Sequence, residues 1–312
     1  MGEEDQTAPS ATPLYLVPLD GSRLAEAVLP AVEALAARTH ARVLLLHVLE
    51  GHAPSTVHGE RHLAGAAEAE DYLAEVTARL QSSGLAVEPH LHDGHEAGVA
   101  HCIAAHAAER HAALVLLSTH GSGGLRDFLF GSIAQQVYQH GTLPILLVRP
   151  LADGTAPPFN PQHILAPLDG SPAGELALET ALSLARLFGA HLHLAMVIPT
   201  LATLTDERAL SGLLLPSTMK AVLDLAAQGA AEHLHRAGER CQAEGVPVTG
   251  EVLRGDAVLE TLELARRLKA DLIVAVSSGA AGLRGFLEGS TAKRITDKMS
   301  APILLVRAAA PA

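Results

Sequence analysis

Two glycine-rich segments have the composition and spacing of an anion-binding loop. The first reads GSGGLRDFLFGS over residues 121–132, and the second reads GAAGLRGFLEGS over residues 279–290. Glycine lets a backbone adopt positive φ and approach a ligand closely, and the unpaired amides at a helix N-terminus attract anions. If a helix begins near Ser132, the amides of Gly131, Ser132 and Ile133 would point toward a bound phosphate. The alternative is that the glycines form only a tight loop and that Ser132 only caps a helix.

Other chemical signatures are incomplete in this sequence. None of the lysines follows a glycine, as a Walker A loop requires, and position 126 is Arg where a dinucleotide GxGxxG loop needs a third glycine. Histidines cluster between residues 90 and 106. No cysteine or carboxylate spacing completes a tetrahedral ligand set there, so we expect surface histidines and no metal site. We also predict no catalytic residue, because no pairing of a nucleophile with a general base is evident.

Composition limits the classes of partner. The chain has 312 residues and a formal net charge of −12. Such a charge disfavours nucleic acid, whereas a small anion can still bind to backbone amides. The acidic segment of residues 1–13 lacks the features of a signal peptide, and no apolar run is long enough to cross a membrane. We therefore expect a cytoplasmic protein that has a disordered leader over residues 1–13 and that binds neither nucleic acid nor a membrane.

The chain contains an internal repeat with an offset of about 150 residues. The stretch LVPLDGS at residues 16–22 returns as LAPLDGS at residues 165–171. The stretch PILLVR at residues 144–149 returns unchanged at residues 302–307. The sequence therefore predicts two copies of one structural unit.

Each copy alternates short apolar runs with longer helical patterns, including predicted helices over residues 23–38 and 61–82. This alternation is typical of a parallel sheet covered by helices on both faces. We predict an α/β protein of two tandem doubly wound, Rossmann-like domains, one over residues 14–149 and one over residues 163–308. The proline-rich segment of residues 150–162 is the predicted linker.

These features resemble those of the universal stress protein family. Its ATP-binding members carry the motif G-x2-G-x9-G-[S/T] after the fourth strand. The residues that match this motif are Gly121, Gly131 and Ser132 in the first copy and Gly279, Gly289 and Ser290 in the second. The first motif glycine, which passes the ribose, is replaced by Ser118 in the first copy and by Val276 in the second.

The resemblance implies a pair of adenine nucleotide α-hydrolase-like domains that bind ATP. Whether Mg²⁺ accompanies the nucleotide stays open, although ATP normally brings it. The resemblance places Asp20 and Asp169 at the adenine, and it assigns backbone contacts with the adenine to Val48 and Val197. The matching glycines and serines would hold the phosphates. An Asp between a strand and a helix also suits a helix cap, so Asp20 has a structural alternative.

The resemblance leaves three functions open. The first is a nucleotide-dependent stress-response module in which bound ATP changes the surface that an unknown protein partner meets. The second is a slow ATPase or autophosphorylating protein. The third is a scaffold that binds no nucleotide, which the two replaced glycines favour. We prefer the first copy as the nucleotide site, because Ser118 is smaller than the β-branched Val276.

The resemblance also bears on assembly. The last strand of each copy is a short apolar edge, and in this family such edges pair with one another. We expect Ile145–Val148 and Ile303–Val306 to pair antiparallel and to form an intramolecular pseudo-dimer. The sequence leaves open whether whole chains also form a homodimer.

Overall fold

The computed structural model describes most of both copies. The described residues are 12–50, 56–57, 60–61, 63, 65–93, 98–119, 132–151, 153–204, 214–276 and 301–307. Residues 1–11 of the predicted leader lie outside these ranges. So do both glycine-rich segments, apart from Ser132, whose backbone is described.

Twelve strands are present in the described ranges, and ten of them form one sheet. The strands of the first copy are β1 (Leu14–Pro18), β2 (Arg42–Leu49), β3 (Thr56–Val57), β4 (Glu60–Arg61), β5 (Ala86–Asp93), β6 (Leu114–Ser118) and β7 (Ile145–Val148). The strands of the second copy are β8 (His163–Leu168), β9 (His191–Ile198), β10 (Val248–Arg254), β11 (Leu272–Val276) and β12 (Ile303–Val306). The short strands β3 and β4 pair only with each other.

Seven α-helices in the described ranges cover the ten-stranded sheet. They are α1 (Leu29–Thr39), α2 (Ala66–Ser82), α3 (Val99–Glu109), α4 (Ser132–His140), α5 (Pro172–Phe188), α6 (Pro216–Ala243) and α7 (Ala257–Leu268). Two 3₁₀ turns, Ala25–Val28 and Leu201–Thr203, complete the described helical structure. None of the described helices combines the length and the apolar composition needed to cross a bilayer.

The sheet is parallel within each copy and antiparallel at the junction between the copies. Its strand order is β10-β9-β8-β11-β12-β7-β6-β1-β2-β5. At the centre, Leu304 lies opposite Leu146 and Ile303 lies opposite Leu147 in the antiparallel pair of β12 and β7. The strands of the two copies therefore run in opposite directions. The carboxyl ends of the first copy's strands lie on the side of the sheet where the second copy's strands have their amino ends.

Two apolar layers enclose this sheet. On one face, buried side chains of α1, α2, α5 and α6 pack in one cluster with residues of both half-sheets. On the other face, α3, α4 and α7 pack in a second cluster. The central strands are four-residue ILLV runs that are buried along their whole length. Such continuous apolar runs are expected for strands that are covered on both faces.

Within the described ranges, two cation–π contacts join the copies outside the strand ladder. The guanidinium carbon of Arg38 lies 4.5 Å from the ring centroid of Phe188. The guanidinium carbon of Arg307 lies 4.2 Å from the ring centroid of Tyr138, and the Arg307 side chain donates a hydrogen bond to the Tyr138 carbonyl oxygen. Each contact pairs a residue of one copy with a residue of the other.

Two predicted helices begin later than their sequence patterns indicated. Instead of one helix over residues 23–38, a 3₁₀ turn precedes α1, which has a proline in its first turn. Proline favours the first turn of a helix because its missing amide would be unpaired there. Instead of residue 61, α2 begins at Ala66, because Arg61 belongs to β4 and Gly65 has an extended backbone.

The antiparallel register predicts which cysteine pairs can form a disulfide. Directly opposite residues have Cα atoms about 4.5 or 5.5 Å apart, alternating along the ladder, which is within disulfide range. Oxidation should therefore cross-link Leu146→Cys with Leu304→Cys, or Leu147→Cys with Ile303→Cys, within one chain. Non-reducing electrophoresis and intact mass would detect the cross-link, and the native Cys102 and Cys241 are both buried.

The matched control is the pair Leu146→Cys with Ile303→Cys. It is offset by one residue, so its side chains lie on opposite faces of the sheet, and it should not cross-link. Equal cross-linking of the offset pair, or covalent dimers in place of cross-linked monomers, would contradict the register.

Candidate functional site

The strand order creates one crevice in each copy. In the first copy the chain runs outward from β1 to β5 and then returns to β6 on the other side of β1. Ligands of doubly wound sheets bind at such a reversal, beyond the carboxyl ends of the strands. Asp20 follows β1 and Ser118 ends β6, so both lie at this point. Asp169 and Val276 occupy the equivalent positions after β8 and at the end of β11.

A compact turn follows β1. The Asp20 carboxylate accepts a hydrogen bond of 2.9 Å from the Ser22 amide, and the Ser22 hydroxyl accepts one of 3.1 Å from the Ala25 amide. Gly21 has a φ of +87°, which favours glycine. Asp20, for which the sequence also suggested a helix cap, therefore holds the turn after β1, while the Ser22 hydroxyl holds the amide of Ala25, the first residue of the 3₁₀ turn.

The end of β2 leaves backbone groups on the crevice side. The Leu19 amide donates a hydrogen bond of 2.8 Å to the Leu46 carbonyl oxygen, where β1 ends. Backbone polar groups of a strand alternate in direction from residue to residue. The amide and carbonyl of Val48 therefore point to the same side as those of Leu46, beyond the end of β1.

His47 supports this corner of the site, and sequence reasoning did not identify it as a functional residue. Its ring is buried, and its Nδ1 donates a hydrogen bond of 2.8 Å to the Leu19 carbonyl oxygen. This bond ties β2 to the residue that precedes Asp20. The available signal was a single polar residue within the apolar run RVLLLHVL.

The second copy builds the same turn more tightly. The Asp169 carboxylate accepts hydrogen bonds from the Ser171 amide at 3.0 Å and from the Ser171 hydroxyl at 2.5 Å. The Ser171 hydroxyl accepts in turn from the Gly174 amide at 3.0 Å and so caps α5. Val197 lies near the end of β9 and is half-buried.

The two copies differ at the position of the first motif glycine. The Ser118 hydroxyl donates a hydrogen bond of 2.6 Å to the Leu24 carbonyl oxygen, which links the end of β6 to the segment after β1. Val276 offers only a buried aliphatic side chain. The hydrogen bond fixes the Ser118 side chain at the crevice, whereas the Val276 side chain has only methyl groups and cannot form such a bond.

The predicted phosphate loop is described only in part. The first helix after it, α4, begins at Ser132, as the sequence predicts, and the Ile133 side chain is exposed. The other residues predicted to hold phosphates lie outside the described ranges in both copies. They are Gly121 and Gly131 of the first copy and Gly279, Gly289 and Ser290 of the second. Of the predicted site, the structure brings Asp20, Val48 and Ser118 to the carboxyl ends of three adjacent strands.

Three histidines form a chain at the amino ends of the strands in the second copy. His163 Nδ1 lies 3.1 Å from His193 Nε2, and His193 Nδ1 lies 2.8 Å from the Thr249 hydroxyl. The ring of His191 stacks on His193, with ring centroids 4.4 Å apart. Burial lowers the pKa of His193 to about 4, and the neighbouring His191 and His163 add to the shift.

This lowered pKa predicts a loss of stability in acid. Between pH 6.5 and 4 the unfolded chain binds a proton at His193 that the folded chain does not, so the free energy of unfolding falls as the pH falls. The first copy has Leu44 at the equivalent position, so His193→Leu is the natural substitution. From pH 7 to pH 4.5 this variant should lose less stability than the parent, by up to about 2 kcal/mol in urea unfolding.

The exposed His235 supplies the control for this measurement. His235→Leu should follow the parent at every pH. If His193→Leu also follows the parent, the buried imidazole is not the group that titrates.

Gly21 allows a test of the turn in the first copy. A Cβ at Gly21 would lie 2.4 Å from Leu63 Cδ1, whereas a Cβ at the equivalent Gly170 would meet only Met196 Cε at 3.5 Å. Both glycines have positive φ, so both alanine variants carry the same backbone strain. Gly21→Ala should therefore be more destabilising than Gly170→Ala by about 1–3 kcal/mol in urea unfolding. Equal losses would mean that Leu63 does not close over this turn.

Comparison with known proteins agrees with the duplicated architecture. The model of the universal stress protein family matches residues 15–149 and again residues 161–307. A universal stress protein of Methanocaldococcus jannaschii is 29% identical over 146 residues, which are 47% of this chain and 82% of that protein. A universal stress protein of Mycolicibacterium smegmatis is 28% identical over 206 residues, which are 64% of this chain and 63% of that protein.

A solved structure shows the same fold over most of this chain. A universal stress protein from Archaeoglobus fulgidus covers 94% of this chain and 96% of its own, with a TM-score of 0.64 at 17% identity. A universal stress protein in complex with cAMP is a weaker likeness, with a TM-score of 0.35 over 45% of this chain at 20% identity, and its ligand is a property of that protein. Because two matches of the family model together span most of the sequence, this chain belongs to the universal stress protein family, with two tandem domains of doubly wound α/β fold.

Proposed function

We propose that this protein binds ATP, accompanied by Mg²⁺, in the crevice of the first copy and that the bound nucleotide acts as a signal in a stress response. The observation that carries the proposal is the arrangement at the carboxyl ends of β2, β1 and β6. There the backbone of Val48 faces the space beyond β1, next to the turn that Asp20 holds. Backbone donor and acceptor groups beside a polar side chain can form hydrogen bonds with the edge of an adenine.

The helix after β6 supplies a second supporting feature. Helix α4 begins at Ser132, and the amides in the first turn of a helix have no partners within the helix. These amides and the helix dipole favour an anion. We place the phosphates there and assign their contacts to Gly121, Gly131, Ser132 and Ile133, with Mg²⁺ bound to the phosphates.

The first copy is the better of the two candidate sites. Ser118 is held by its bond to the Leu24 carbonyl, so its small side chain can border a ribose without moving. In the second copy, the β-branched Val276 restricts the backbone more strongly. We assign the weaker site to Asp169, Val197, Gly279, Gly289 and Ser290.

A signalling role fits the described residues of the crevice better than rapid turnover. The Asp20 carboxylate already accepts a hydrogen bond within its own turn, and the buried His47 ring is bonded through Nδ1 to a backbone carbonyl. Both groups support the binding surface. We therefore propose that ATP changes the surface that a protein partner meets and that the two copies act together as an intramolecular pseudo-dimer.

The test is native mass spectrometry of the purified chain titrated with Mg-ATP. We expect one added nucleotide per chain, and the same spectra will show whether whole chains dimerise. Gly131→Val should abolish the binding of this nucleotide, because the valine side chain would obstruct the loop and restrict its backbone. The matched variant Gly289→Val, at the same motif position of the second copy, should retain it. Loss in Gly289→Val with retention in Gly131→Val would move the site to the second copy.

A scaffold that binds no nucleotide is the second candidate function. The replacement of the first motif glycine in both copies favours it. If the parent binds no Mg-ATP, Ser118→Gly will discriminate between two explanations. Binding that appears only in Ser118→Gly would show that the side chain had closed the site, and continued absence of binding would favour the scaffold.

A further inference from the structure

Three histidines converge at the outer edge of the first copy, away from the junction between the copies. His90 and His92 lie on the edge strand β5, and His106 lies on α3, which covers that face of the sheet. Residues two apart on a strand share a face. One ligand nitrogen from each of the three rings lies within 4.8 Å of the other two. The ring of His106 is 4.8 Å from that of His90 and 4.5 Å from that of His92, measured between centroids.

Two of these rings have buried nitrogens without a hydrogen bond to any described residue. The Nε2 atoms of His90 and His106 are both buried and have no hydrogen-bond partner among the described residues. A buried polar atom without a partner costs about 1–3 kcal/mol. A bound cation would give both nitrogens the partner that they lack.

From this geometry we propose that His90, His92 and His106 bind one divalent transition-metal ion of the zinc class, with water as the fourth ligand. Three imidazoles and an open position form an established zinc coordination set. Nitrogens of a tetrahedral zinc site lie about 3.3 Å apart, given Zn–N bonds of about 2.0–2.1 Å. The three rings therefore need to close by no more than about 1.5 Å, which side-chain rotation provides.

Charged side chains of both signs surround the three histidines. The Glu109 carboxylate lies 3.6 Å from His106 Nδ1, which is beyond hydrogen-bond range but places a negative charge beside that ring and leaves Nε2 to bind the metal. Arg110 carries an opposing positive charge, which Glu88 offsets only in part, because Glu88 lies 2.7 Å from Arg110 and 3.0 Å from Arg42 and so pairs with both.

The pKa is lowered for two of the three rings, which favours their neutral form. Burial lowers the pKa of His90, with Arg110 and His92 adding to the effect. Burial also lowers the pKa of His106, with His92 and His90 adding to it. Neutral imidazole is the form that binds metal.

The second copy provides an internal comparison. The strand registers place Glu251 of β10 at the position of His90, and Leu253 at the position of His92. Glu251 is engaged by Arg267. We therefore expect one metal ion per chain, held by the first copy only.

The experiment is a zinc titration of the full chain, prepared without a histidine tag and stripped with a chelator. Isothermal titration calorimetry should give one tight site. Co²⁺ substituted at that site should show the intense visible absorption of four-coordinate cobalt. His90→Gln, His92→Gln and His106→Gln should each weaken binding at least about 10- to 100-fold. Circular dichroism in chelator will verify that each variant is folded.

Two histidine variants outside the cluster serve as controls. His101→Gln changes an exposed residue on the same helix, and His191→Gln changes the histidine group of the second copy. Both should bind zinc as the parent does. The proposal is overturned if the parent binds no zinc beyond weak, non-stoichiometric association. It is also overturned if the three cluster variants bind as tightly as these controls.

Discussion

The antiparallel pair of β7 and β12 is the interaction on which the rest of the architecture depends. Each copy alone would end in a four-residue apolar strand with unpaired amides and carbonyls, which is an unstable edge in water. Pairing of the two ILLV strands satisfies these groups and joins two half-sheets into one. It also makes the two apolar layers continuous across the molecule, since helices of both copies pack in each layer.

This junction has a direct consequence for ligand binding. Because the strands of the two copies run in opposite directions, the crevice after β1 and the crevice after β8 lie at opposite edges of the sheet. The copies therefore cannot close around one shared nucleotide, and each crevice must provide its own contacts. The two sites are free to diverge, which the contrast between the tethered Ser118 and the aliphatic Val276 illustrates.

Divergence between the copies is also visible where no nucleotide is expected. At one equivalent pair of positions the first copy has Leu44 and the second has His193, whose ring bonds to His163 and Thr249. At the outer edge strand the histidine is instead in the first copy, which has His90 where the second copy has Glu251. The shared backbone preserves the fold, while a few polar side chains give each copy its own titratable group.

The family resemblance predicted the pairing of the last strands, which the structure contains. The sequence by itself determined the doubly wound class and the duplication. These features follow from local patterns: apolar runs of strand length, glycine and proline punctuation, and the exact return of PILLVR. The same patterns located Asp20 and Ser118 at strand ends. Helix starts were less accurate, because the 3₁₀ turn before α1 and the short strand β4 depend on local geometry that periodicity does not encode.

Only the tertiary structure decided how particular side chains meet. Sequence reasoning treated the histidines between residues 90 and 106 as surface groups, because their spacing matches no metal motif. The structure brings His90 and His92 from a strand against His106 from a helix. It likewise reveals the bond from His47 to the Leu19 carbonyl and the bond from Ser118 to the Leu24 carbonyl. Each of these contacts joins residues that are distant in the chain, so its geometry follows from packing across the sheet and not from any local pattern.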